Sequence, residues 1–129
     1  MAERLKGYAK SMLNNTIHVS AYIKMQMRIQ IVRYLGDDPQ PGVVECELFG
    51  VAGKRHAFIE KVPMVSLENL TGNDKYPREG AVACEILARR LDANGREIIR
   101  VTTAKPWDIE STEALAEFDL LPVQIITDT

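Results

Sequence analysis

From Thr16 onward the chain alternates: Ile17, Val19, Ala21 and Ile23 face one way, and His18, Ser20, Tyr22 and Lys24 the other. The same period continues through Met25, Met27, Ile29 and Ile31 opposite Gln26, Arg28 and Gln30. Period-two patterning predicts a strand with one buried face. Its length exceeds the usual ~5–6 residues, so a bend or bulge is expected near Lys24–Gln26, or a long strand crossing a barrel corner. Upstream the period is helical. Leu5, Tyr8, Ala9, Met12 and Leu13 form one stripe, and Asn14-Asn15 supplies a stop, which predicts a short helix within residues 1–15. Met25 and Met27 are alternative starts to Met1, and a start at either would leave that helix outside the functional design.

After the turn cluster Gly36–Gly42, a second pattern occurs twice. Pro39-Gln40-Pro41-Gly42-Val43-Val44-Glu45-Cys46-Glu47-Leu48 returns 38 positions later as Pro77-Arg78-Glu79-Gly80-Ala81-Val82-Ala83-Cys84-Glu85-Ile86. In each copy alternate residues are apolar: Val44, Cys46 and Leu48, then Val82, Cys84 and Ile86. Each is followed by a turn (Gly50–Gly53, Asp92–Gly95) and a returning apolar strand, so both copies read as β-hairpins, with Asn94-Gly95 the stronger turn signal. Two such hairpins bury a face only against one another. Pro63 ends the first return strand, and Ser66 caps a helical turn over Ser66–Leu70. A last strand is expected at Ala116–Leu121, with Ala116, Phe118 and Leu120 inward. The expected fold is all-β: a six- or seven-stranded barrel over residues 16–129, built on a duplicated hairpin, with a short N-terminal helix.

Composition changes this picture little. With 129 residues, 46% of them hydrophobic and 26% charged, the chain suits one globular domain. Charge is unevenly placed. Residues 1–35 carry six basic and one acidic residue, net +5, while the rest carries ten basic and seventeen acidic, net −7. An acidic body favours a basic partner and disfavours nucleic acid. No signal-peptide pattern and no apolar run of membrane-spanning length occurs, and the two cysteines are spaced for neither zinc nor a disulfide framework, so a reduced, cytoplasmic protein off the membrane is expected.

Chemistry-bearing motifs are sparse. Cys46, Cys84, His18 and His56 are zinc-ligand types without zinc spacing, and two small core residues explain the thiols. No nucleophile-elbow, zincin, phosphate-loop or dinucleotide motif is present, so neither an enzyme nor a bound cofactor or metal is expected. Tyr22, Arg28, Arg33 and Tyr34, with Arg89, Arg90, Arg96 and Arg100, would suit a single-strand-binding barrel, although outward arginines beside Glu give the same pattern. The connection Ala104–Glu113 holds the only tryptophan. Trp107 is read either as a cap on one barrel end or as a partner anchor, beside the acidic Asp108, Glu110 and Glu113. Those three carboxylates are also the candidate ligands of a metal-dependent enzyme, the third reading.

The segments Glu60-Lys61-Val62-Pro63, Tyr76-Pro77-Arg78-Glu79-Gly80 and Pro106-Trp107-Asp108-Ile109-Glu110-Ser111-Thr112-Glu113 resemble motifs of a set of small bacterial proteins of no established activity. The resemblance covers about residues 27–121 and implies a bacterial source; it carries no site residues. In shape the pattern is also similar to the small β-barrel modules of translation factors, a likeness of fold alone. The functional expectation is a non-catalytic protein-binding module using Trp107, Asp108, Glu110 and Glu113, in a sharper form an immunity-type inhibitor of a basic toxin.

Overall fold

The computed structural model describes residues 25–127. The expected helix within 1–15 and the strand residues before Met25 lie outside them. Eight strands follow in order: β1 (Met25–Gly36), β2 (Val43–Phe49), β3 (Arg55–Lys61), β4 (Arg78–Ala83), β5 (Glu85–Leu91), β6 (Glu97–Thr102), β7 (Glu117–Leu120) and β8 (Ile125–Thr127). All pairings between them are antiparallel.

β1 is the spine. Met27, Ile29 and Ile31 are buried and Arg28 and Gln30 exposed, as period-two patterning requires. Its pairing with β4 sets Met27 opposite Val82, and its pairing with β2 sets Ile31 opposite Cys46. Register slips follow at Val32 and Leu35, which turn Arg33 toward Glu45 and Tyr34 toward Val44. The expected bend near Lys24–Gln26 lies partly outside the described residues; within them Gln26 pairs regularly with both Ala83 and Ile126.

The strands form two sheets, β3-β2-β1-β4 with β8 also on β1, and β5-β6-β7. One residue, Cys84, separates β4 from β5; its amide donates to the Met25 carbonyl at 3.1 Å, and the chain then passes into the second sheet. The 3₁₀ turn Pro122–Gln124 returns it from β7 to β8. Both sheets press onto one core, in which Met27, Val44, Cys46, Phe58 and Val82 meet Val101, Phe118 and Leu120.

The expected all-β class is what forms, but the barrel does not close among the described residues. No ladder joins β3 to β7. Two backbone bonds tie the first hairpin to the 103–120 stretch instead, each through a loop residue: Val51 N–H to the Asp119 carbonyl at 3.0 Å, and Thr112 N–H to the Ala57 carbonyl at 2.8 Å. β7 has only four residues before Leu121 and Pro122, and proline has no N–H to extend a ladder. The edge of β3 is met by the 104–116 connection instead of a strand.

The duplicated hairpin also needs correction. The first copy stays within one sheet as β2–β3, whereas the second divides at Cys84, so that β4 pairs with β1 and β5 with β6. The two cysteines share burial, at 0% and 3% exposure, but not place: Cys46 lies opposite Ile31 and Cys84 beside Met25. The helical turn expected at Ser66–Leu70 occurs earlier, at Val62–Met64, and Ser66 Oγ instead accepts the Glu68 amide at 3.0 Å. The Asp92–Gly95 turn forms as expected. Gly95 has φ +82°, and Asp92 Oδ1 accepts the Asn94 and Arg96 amides.

Candidate functional site

The connection from β6 to β7 is long for a loop yet tied at both ends. Thr103 is fully buried; its N–H donates to the Ala116 carbonyl at 2.8 Å and its hydroxyl to the Ile109 carbonyl at 2.6 Å. Ile109 N–H returns a 2.8 Å bond to the Thr103 carbonyl, and its side chain is buried in the core. Residues 104–108 are thereby pinched into a small arch, with Asp108 N–H on the Ala104 carbonyl at 3.0 Å. Asp108 adopts φ +56°, a conformation that aspartate tolerates better than most residues. Beyond the arch, Ser111 Oγ accepts the Glu113 and Leu115 amides, each at 3.2 Å, which shapes a second turn.

Trp107 crowns the arch. It is half-buried, packed against the core at its inner side and open at its outer side. Asp108 and Glu110 are exposed on either side of the buried Ile109, and no ion pair holds them among the described residues. Glu113 is different. Lys54 Nζ lies 3.0 Å from its carboxylate, and that bond and charge hold its pKa below the ordinary range. The four residues expected to form a site therefore divide: Trp107 and Asp108 lie on the arch and Glu110 just beyond it, while Glu113 is paired with Lys54 on the neighbouring turn.

Other candidate chemistries fare less well. No three His, Cys, Asp or Glu side chains among the described residues come together to hold a metal ion, so Asp108, Glu110 and Glu113 do not converge. Burial pushes both thiols up to about 12, which keeps Cys46 and Cys84 protonated and poor as nucleophiles or ligands. His18 and Tyr22 lie outside the described residues. The arginines are engaged by carboxylates: Arg89 with Glu97, Arg90 and Arg100 with Asp119, Arg96 with Asp92, Arg33 with Glu45 and Arg28 with Glu79. Two guanidiniums hold the Asp119 pKa down to about 2, against a smaller desolvation effect.

Sequence reasoning passed over Thr103, since a threonine at a strand end carries no signal of its later partner. Thr103→Val keeps the shape and deletes the hydroxyl, leaving the Ile109 carbonyl without that donor. The expected cost is about 1–3 kcal/mol, read from urea unfolding. A red shift of Trp107 fluorescence in the folded state should accompany it as the arch loosens. An unchanged midpoint and spectrum would show that the arch does not depend on this bond.

No protein-family model matches the sequence, and comparison with curated proteins and with solved structures finds no match. No helix among the described residues is long and apolar enough to cross a membrane.

Proposed function

We propose that the protein is a non-catalytic protein-binding module of the bacterial cytosol, with the arch 104–108 and the adjoining Glu110 as its contact and Trp107 as its anchor. The observation that carries this reading is the state of Trp107: a large aromatic, tied down from below by Thr103 and Ile109, with its outer side open. A rigid, partly exposed tryptophan brings large contact area at small entropic cost, which is why the residue is enriched at binding hot spots. The exposed carboxylates of Asp108 and Glu110 and the net −7 of residues 36–129 favour a basic partner. An immunity-type inhibitor of a basic toxin is the sharpest form of this reading. The bacterial setting rests on the resemblance of the Lys61-Val62-Pro63, Tyr76–Gly80 and Pro106–Glu113 segments to small bacterial proteins.

Affinity capture from native lysate tests it, with two variants beside the wild type. Trp107→Ala removes the anchor. Asp108→Asn combined with Glu110→Lys removes one exposed charge and reverses the other, keeps at position 108 a residue that accepts the positive φ, and leaves the core alone, so its melting temperature should stay near wild type. The expected result is a basic protein captured by the wild type and lost, at least tenfold, by both variants. Recovery of the same protein by both variants, or of none by the wild type, defeats the proposal.

A further inference from the structure

The seam between the β2–β3 hairpin and the 103–120 stretch is lightly built. Across it run the two backbone bonds Val51 to Asp119 and Thr112 to Ala57, and the exposed Lys54–Glu113 ion pair. His56 sits at its centre. Its ring meets the Phe118 ring edge-on, with centroids 4.9 Å apart and planes at 69°. Nδ1 is buried and has no hydrogen-bond partner. Such an atom is tolerable as the bare lone pair of a neutral imidazole protonated on Nε2. Protonated, it becomes a charged N–H donor facing apolar surroundings, which costs far more.

We propose that His56 is an acid-sensitive latch: taking up a proton on Nδ1 opens the seam and frees the Ser111–Leu115 turn from β3. The charged groups around it do not stabilise the cation in place. On its own hairpin Lys54 opposes the charge, Arg55 is turned to Glu45 and Glu47, and Glu60 lies beyond Phe58 on the same face. From the 103–116 connection Glu113 favours the cation, but Lys54 already binds that carboxylate. From β7 only Phe118 faces the ring, with Glu117 and Asp119 on the opposite side, and from β2 the facing residue is Leu48. Burial and Lys54 together lower the imidazole pKa from its ordinary 6.5.

The sign follows from linkage. The unfolded chain takes up the proton near 6.5 and the closed seam only at lower pH. The seam is therefore at full strength above about pH 6.5 and weakens as the pH falls toward the folded-state value. The protein would then present Trp107 on a connection fastened at neutral pH and loosened at its C-terminal turn in mild acid.

Amide hydrogen exchange on the full chain at pH 7.5 and pH 5.0, corrected for intrinsic rates, tests this directly. The Val51 and Thr112 amides should lose protection at pH 5.0, while those of Ile99 and Val101 in β6 hold. His56→Phe keeps the ring-on-ring contact and removes the titration, so the loss should vanish in it. Equal protection at both pH values, or the same loss in His56→Phe, overturns the proposal, the latter by assigning the effect to carboxylates. Should that variant not fold, NMR titration of the wild-type imidazole decides: a midpoint below 6.5 supports the latch, and one at or above 6.5 removes it.

Discussion

Replacing Phe58 by alanine is expected to remove about 3–5 kcal/mol of stability, the usual range for a large aromatic cut out of a core. The ring is 0% exposed, pairs through β3 with Cys46, and lies edge-on to Phe118 with centroids 5.6 Å apart. With Phe118 it fills the space between β3 and β7, which no ladder joins, so no strand slides in to refill it. Against the roughly 5–15 kcal/mol that holds a domain of this kind folded, the loss is a large share. Urea unfolding would show it as a midpoint shift at constant slope. A double-mutant cycle with Phe118→Leu should return a coupling of about 0.5–1.5 kcal/mol for the aromatic pair. A loss under about 1 kcal/mol, that of an exposed position, would contradict this packing.

Phe58 also marks how far the sequence carried. Its strand was legible only as the return after a turn, whereas β1 and β2 were legible from period-two alternation, which needs only neighbours: Val44, Cys46 and Leu48 are all buried, as are Met27, Ile29 and Ile31. The Asn94-Gly95 turn was legible for the same local reason, a positive φ that few residues accept. Whatever depends on remote partners was not. The second copy of the repeat reads like the first, yet Cys84 is bonded to Met25 and its following strand to β6, and neither partner is visible in ten residues of pattern. Barrel closure failed for a similar reason, because the alternation of Phe118 and Leu120 does not say that Pro122 cuts their strand short of closing a ladder with β3. At the site, Trp107 announced itself by rarity. Thr103, which holds its arch, looks ordinary until the fold brings Ile109 beside it, and His56, offered by the sequence only as a zinc-ligand type, gains its place in the seam only when the fold brings Phe118 beside it.

Gly80→Ala is expected to cost about 1–3 kcal/mol or more, the range for forcing atoms into a packed interior. A Cβ there would stand 2.8 Å from Ile31 Cδ1 and 2.9 Å from the Val65 carbonyl oxygen. Ile31 is fully buried and has little room to turn, and the carbonyl is backbone, fixed by the Ala81 amide at 3.0 Å. Gly42 occupies the matching position of the first copy and is needed for another reason. Its φ is +120°, and its Cβ would press on the half-buried Tyr34 ring, 2.9 Å from Cε1. A half-buried ring can swing aside, which leaves mainly the backbone penalty, about 1–2 kcal/mol. Removing the Tyr34 ring should therefore relieve part of the Gly42→Ala loss, whereas Ile31→Val should leave most of the Gly80→Ala loss in place, because the Val65 carbonyl remains. Urea midpoints of these two pairs of variants check both statements. Were Gly80→Ala neutral, or were both losses relieved alike, the close approach of Gly80 to Ile31 and the Val65 carbonyl would be wrong.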